Sequence, residues 1–121
     1  MILVDTSVWI DHLRSGSATL ARLLEDGAVL AHPWVVGELA LGNLNDREKI
    51  LALLQQLPQA TVAESDEVLL LIEQLALYGV GIGYVDAQLL AAARLTRDTS
   101  LWTADKRLAN VTASLGLGFQ P

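Results

Sequence analysis

No cysteine occurs among the 121 residues, which removes disulfides and thiolate metal sites and fits a reducing cytosol. Histidine is nearly as scarce. His12 and His32 stand alone and far apart, too few for a zinc centre, and are expected on a helix surface and in a loop. No apolar run reaches the roughly 18 residues that a membrane span requires. The nearest approach, "VLLLIEQLALYGVGIGYV", is broken by Glu73, Gln74 and three glycines. No basic stretch precedes the apolar start, as one would in a secretory leader, so the expected setting is the cytoplasm, without membrane contact. Bases are outnumbered, 8 to 14, for a net charge of −6. That balance argues against the broad basic footprint of a DNA-coating protein. It leaves room for a nuclease whose bound cations supply positive charge locally. "GVGIGYVD" lacks both the GxGxxG spacing and the P-loop lysine, and no serine stands in a G-x-S-x-G elbow. Repeats, low-complexity tracts and linkers are absent too, so residues 1–121 are expected to form one domain.

What is present is apolar. The hydrophobic fraction is 52% and the mean hydropathy +0.40, more than a small domain can hide. Part of the excess suits an Ala- and Leu-rich helical core, and part suits a surface for a partner chain or a second copy. Met1–Val4 reads as a buried strand and Thr6–Arg14 as a helix stopped by Ser15-Gly16-Ser17. "SATLARLLEDG", "PWVVGELALGN", "NDREKILALLQQL", "ESDEVLLLIEQLALYG", "YVDAQLLAAARLTRD" and "ADKRLANVTASLG" read as further helices. "AVLA", "ATVA", "SLWT" and "LGF" read as strands. Alternation of this kind predicts an α/β fold: a central, mostly parallel, twisted sheet of about five strands with helices on both faces.

The acids fall where such a fold places a site. Asp5 directly follows the first strand and Asp105 follows "SLWT". Asp86 opens an alanine-rich helix after a glycine-rich loop, and Glu38 lies in a helix among Val35, Val36, Leu39 and Leu41. In open parallel sheets, sites form beyond the carboxyl ends of the strands where strand order reverses. Four carboxylates gathered there would repel by on the order of 4 kcal/mol per pair at about 4 Å and an effective dielectric near 20. Such a group persists by taking up protons or cations. Oxygen-only ligands suit Mg²⁺ or Mn²⁺, and two such ions about 3.5–4 Å apart can activate water and stabilise a leaving oxygen in phosphoryl chemistry. Each acid also has a structural reading. Asp5 and Asp86 suit helix caps, Glu38 a solvated helix face, and Asp105 a turn.

Taken in order, "ILVDTSVWID", "PWVVGELALG", "GIGYVDAQLLAAA" and "LWTADKRL" resemble the four acidic segments of the PIN-domain family, in particular the VapC-type toxins of bacterial toxin–antitoxin pairs. The likeness covers almost the whole chain, with one small departure at Leu108, where many members carry Phe. The resemblance implies an endoribonuclease dependent on Mg²⁺ or Mn²⁺. Asp5, Glu38, Asp86 and Asp105 would be its catalytic and metal-binding acids, with Asp5 and Asp86 the most direct ligands. The hydroxyls of Thr6, Ser7 and Thr103 would orient a carboxylate or a water. It further implies attack by water, 3′-hydroxyl and 5′-phosphate products, a homodimer, and a cognate antitoxin lying in an apolar groove to which Trp9, Trp34 and Leu13 could contribute. The family often attacks transfer or ribosomal RNA.

Two other readings compete. A non-catalytic PIN-like module that binds RNA or protein is disfavoured by the presence of all four acids. A haloacid dehalogenase-like phosphatase needs D-x-D, and Ser7 stands where its second acid belongs.

Overall fold

Val and Leu dominate three short segments that pair in parallel. The computed structural model describes residues 1–121. In it β1 (Ile2–Val4) lies between β2 (Val29–Leu30) and β3 (Ser100–Trp102), in the order β2-β1-β3. Ile2 pairs with Val29 and Ser100, Leu3 with Leu30 and Leu101, and Val4 with Trp102. Leu3 and Val4 point to opposite faces of the strand, and both are fully buried. Both faces of the sheet are therefore covered, as a parallel sheet requires.

The sheet has three strands where the sequence suggested about five. Of the other two expected strands, "LGF" survives as a single parallel bridge, while "ATVA" forms none and the bridge beside β2 falls on Gln59, just before it. Ala31 pairs with Gln59 beside β2, and Leu101 with Gly118 beside β3. Pro58 gives its carbonyl to the Ala31 amide (2.8 Å) but has no amide of its own, and Gly118 offers no side chain to pack. Neither segment extends its ladder.

Seven helices complete the chain: α1 (Thr6–Ser15), α2 (Ala18–Glu25), α3 (Pro33–Ala40), α4 (Arg47–Gln56), α5 (Ser65–Gln74), α6 (Tyr84–Leu95) and α7 (Lys106–Ser114). None is long and apolar enough to cross a membrane. Ala87 through Ala93 of α6 are all buried. Its small side chains let the helix lie close to β3 and α5, while Leu89 and Leu90 fill the space between them. Helix α5 stops at Gln74, five residues short of the expected Gly79. Ala76 takes a left-handed φ of 51°, while its amide bonds Glu73 O and the Leu77 amide bonds Ile72 O. This is a Schellman closure built on alanine, and without glycine at that position the sequence hides it.

Two expectations for single residues fail. His32 is fully buried. It caps α3, its Nδ1 accepting the Trp34 amide at 3.0 Å. First-turn amides have no partner within the helix, and with Pro33 lacking one, the Trp34 amide is the first that needs an acceptor. Trp9 belongs to the core and does not line a groove.

Candidate active site

β1 is the strand at which the sheet reverses direction of growth, and the chain leaves its carboxyl end through Asp5. The Asp5 amide still pairs with Trp102 O at 2.9 Å, which fixes the residue at the sheet edge. Only 6% of Asp5 is exposed, and both of its carboxylate oxygens are hydrogen-bonded. Oδ1 accepts the Thr6 amide at 2.7 Å, capping α1. Oδ2 accepts the hydroxyls of Ser7 at 2.8 Å and Thr103 at 2.7 Å. Those hydroxyls also accept amides from the β3–α7 turn: Ala104 N donates to Ser7 Oγ (3.0 Å) and Asp105 N to Thr103 Oγ1 (3.1 Å). The ends of two adjacent strands are thus tied together through one buried carboxylate.

The other acids surround this knot. Asp105 caps α7, its Oδ1 accepting the Leu108 amide at 2.9 Å. Glu38 is an exposed residue of α3, the helix packed on α1. Its Oε1 accepts the Thr6 hydroxyl at 2.6 Å. Asp86 sits in the first turn of α6, and its Oδ2 accepts the Gly83 amide at 2.9 Å. Burial pushes the Asp86 carboxyl above its ordinary value, and the charges of Asp5, Asp105 and Glu38 push it further the same way, against the lowering effect of the Gly83 amide. The four acids therefore share one electrostatic neighbourhood. Thr6 links two of them, its amide on Asp5 and its hydroxyl on Glu38, while the Ser7 and Thr103 hydroxyls hold Asp5.

No three carboxylates or imidazoles close into a ready-made metal cage. Each acid leans instead toward its own amide or hydroxyl partner. Glu38, Asp86 and Asp105 each keep one carboxylate oxygen without a protein partner. An all-oxygen donor set of this openness fits Mg²⁺ or Mn²⁺, since Mg²⁺ commonly keeps several waters and takes only one or two carboxylates besides substrate phosphate.

Sequence reasoning missed the backbone's share in the site. The Gly83 amide holds Asp86, and the spacing of a helix-entry residue three before an acid could have revealed it. It also passed over Arg107, whose side chain lies across Gly81. A Cβ there would come within 2.8 Å of the arginine Cδ. The one ion pair of the chain joins Arg97 to Asp98, so Arg107 has no carboxylate partner. Beside Glu38 a groove of about 550 Å³ runs between α1 and the α3–α4 connection, lined by Ile10, Leu13, Leu39 and Ile50 among others. Of the three residues expected in an apolar groove, only Leu13 lines it.

Comparison with known proteins adds two findings. The PIN domain model matches residues 2–113. Ribonuclease VapC32 of Mycobacterium tuberculosis, in strains CDC 1551 / Oshkosh and ATCC 25618 / H37Rv, is 49% identical over 117 residues. That alignment covers 97% of this chain and 94% of the relative.

Proposed function

The chain belongs to the PIN-domain family, as a VapC-type member, and on that premise we propose that it is a Mg²⁺- or Mn²⁺-dependent endoribonuclease, the toxin of a toxin–antitoxin pair. The observation that carries the reading is the shared field at Asp86. Burial raises its proton affinity most, and the three other carboxylates add to it, while the chain's one ion pair lies elsewhere, between Arg97 and Asp98. A site in that state favours divalent ions.

Asp5 and Asp86 would hold the metal most directly, and Glu38 and Asp105 would complete the shell through their free oxygens, partly by way of water. When bound, the metal would activate water and stabilise charge on the phosphate and the leaving oxygen. The chain's own residues do the positioning. Ser7 and Thr103 lock the Asp5 carboxylate, Thr6 steers Glu38, and the Gly83 amide keeps Asp86 turned toward the others. Attack by water on the phosphorus would leave 3′-hydroxyl and 5′-phosphate ends.

A cognate antitoxin suits the groove beside Glu38, where Leu13, Leu39 and Ile50 offer apolar contacts. A basic side chain entering from it would meet unneutralised carboxylates. Exposed Leu69, Leu70 and Leu95 on α5 and α6 suit a second copy of the chain. The cytoplasm is the proposed setting. The test is RNA cleavage by purified chain in Mg²⁺ or Mn²⁺, with end-group analysis. Cleavage should stop with chelator and with Asp86→Asn. Cleavage that persists in chelator, or that leaves 2′,3′-cyclic phosphates, would refute the reading.

A further inference from the structure

The chain has three tryptophans, and two are core residues, Trp9 at 4% and Trp102 at 9% exposure. Trp34 is 40% exposed. Its ring stands edge-on to that of Tyr84, itself 42% exposed, with centroids 5.8 Å apart and planes at 65°. Trp34 precedes Glu38 by one turn of α3, so the two side chains share a helix face. Tyr84 opens α6, whose Asp86 feels the Glu38 charge. The aromatic pair therefore bridges the two helices that bring these acids together. Its geometry is held from below, where buried Gln88 donates from Nε2 to the Tyr84 phenol at 3.1 Å. On the loop leading into Tyr84, Arg107 covers Gly81 and keeps its guanidinium without a carboxylate partner.

Half-exposed aromatic rings on the two helices that carry Glu38 and Asp86, with an unpaired guanidinium over the loop that enters α6, match one ligand chemistry. A nucleobase free of pairing stacks on aromatic rings, and its phosphate meets the arginine. We infer that Trp34 and Tyr84 form a stacking platform for an unpaired nucleobase of the RNA and so position it for cutting. The inference rests on the ribonuclease reading and adds to it the residues that hold a base near the acids.

The test is the emission of the intact chain, titrated in chelator with an unstructured oligoribonucleotide. With the other two tryptophans buried, a change reports Trp34. Quenching should follow the binding curve obtained from anisotropy of the labelled RNA. Trp34→Leu should abolish the quench and weaken binding about 5- to 150-fold, the range that base–aromatic stacking covers on truncation. Tyr84→Leu should also weaken binding, whereas Tyr84→Phe, which keeps the ring but loses the Gln88 bond, should recover most of it. In Mg²⁺ or Mn²⁺ the Trp34→Leu defect should fall on KM and leave kcat within about threefold, and an abasic residue at the cut site should shrink it. Because Trp34 is exposed, circular dichroism of the variant should match wild type. Absence of RNA binding, RNA binding without an emission change, or unchanged affinity in Trp34→Leu would overturn the inference. So would an equal response to fully duplex RNA, or a concentration-dependent emission shift without RNA that gives this face to a second copy. Quenching by RNA that is never cut would sink the ribonuclease reading and leave the platform standing.

Discussion

Asp5→Asn is the obvious way to silence the site, and the hydrogen bonds around Asp5 say that it will also weaken the fold. Oδ1 accepts the Thr6 amide, which an asparagine oxygen can still do. Oδ2 receives two hydroxyl protons, from Ser7 and Thr103. An amide nitrogen there is a donor facing two donors. Both hydroxyls would have to turn and accept it with their remaining lone pairs, since each already accepts a backbone amide. Their own protons would then need new acceptors. The two oxygens are 3.4 Å apart, so one hydroxyl can point at the other and the second is left without a partner.

Two bonds to a charged acceptor, each contributing about 1.5–3 kcal/mol, are thus exchanged for weaker neutral ones. Glu38 and Asp105 are exposed and no three of the acids crowd together, so their repulsion of Asp5 is screened by water. Removing one charge therefore returns on the order of 1 kcal/mol instead of the roughly 4 kcal/mol of a close pair at a dielectric near 20. Hydrogen bonding wins, and the net cost is about 2 kcal/mol, or roughly 6–12 °C in melting temperature for a chain of this size. Glu38→Gln is the control. Glu38 is exposed and accepts a single side-chain bond that a Gln oxygen can keep, so its cost stays within about 0.5 kcal/mol. Thermal and urea melts in chelator at neutral pH measure both. An Asp5→Asn protein that melts within a degree or two of wild type, or a Glu38→Gln protein that falls as far, would refute the reasoning. Activity of Asp5→Asn should accordingly be read well below its own melting point.

His32 is buried neutral, with burial pushing its pKa below the ordinary 6.5. Its stabilising contribution is present above 6.5 and is lost as the pH falls through the lowered folded value. Melting temperature should drop between pH 7 and 5, and the drop should flatten in His32→Asn, a cap that does not titrate; an equal slope in both proteins would count against it. Asp86 has the opposite sign. Its raised carboxyl favours the fold at pH below the ordinary 3.8 and loses that contribution as the pH rises through the raised value. Without metal at pH 7, Asp86→Asn should therefore be at least as stable as wild type. Mg²⁺ at about 100 times its dissociation constant should stabilise wild type by roughly 2.7 kcal/mol, and the variant by much less, as read from the melting shift; equal shifts would remove Asp86 from the ligand set. Ala92→Leu inserts a large side chain where α6 is fully buried and should cost about 1–3 kcal/mol by urea denaturation; a smaller loss would mean that α6 has room the packing does not show.

The parallel α/β architecture was legible because the hydrophobic segments alternate with helical periodicity, and because β1, β2 and β3 are buried runs bounded by polar residues. The sheet's width was not. "ATVA" and "LGF" have strand composition, but strand length depends on neighbours. Pro58 and Gly118 limit what those edges can pair, and that is a tertiary outcome. Helix ends were read too long for a similar reason. Ala76 and Thr96 terminate α5 and α6 by backbone and side-chain bonds that leave no glycine or proline in the sequence at those points. His32 was misplaced because a lone polar residue before proline reads as loop, and its burial follows from how α3 enters the core.

The acids were harder to weigh, since the sequence offered capping and ligation as rivals. Geometry removes the rivalry. Asp5 and Asp105 cap α1 and α7, and Asp86 lies in the first turn of α6 with its oxygen on the Gly83 amide. A carboxylate is stabilised by the amides and positive dipole end of a helix N-terminus, and those amides are what allow several acids to face one another without a cation. Each N-terminal amide takes one oxygen and fixes the carboxylate's orientation. For Asp86 and Asp105 the second oxygen is left over, while at Asp5 the hydroxyls of Ser7 and Thr103 claim it. Glu38 is the exception, lying mid-helix with only the Thr6 hydroxyl to hold it. It is therefore the acid whose side chain can move most when a cation arrives, and the one whose charge contributes least to holding the fold. A capping role and a place in the acidic pocket come from the same physical circumstance, so evidence for the first at Asp5 or Asp105 carries no weight against the second.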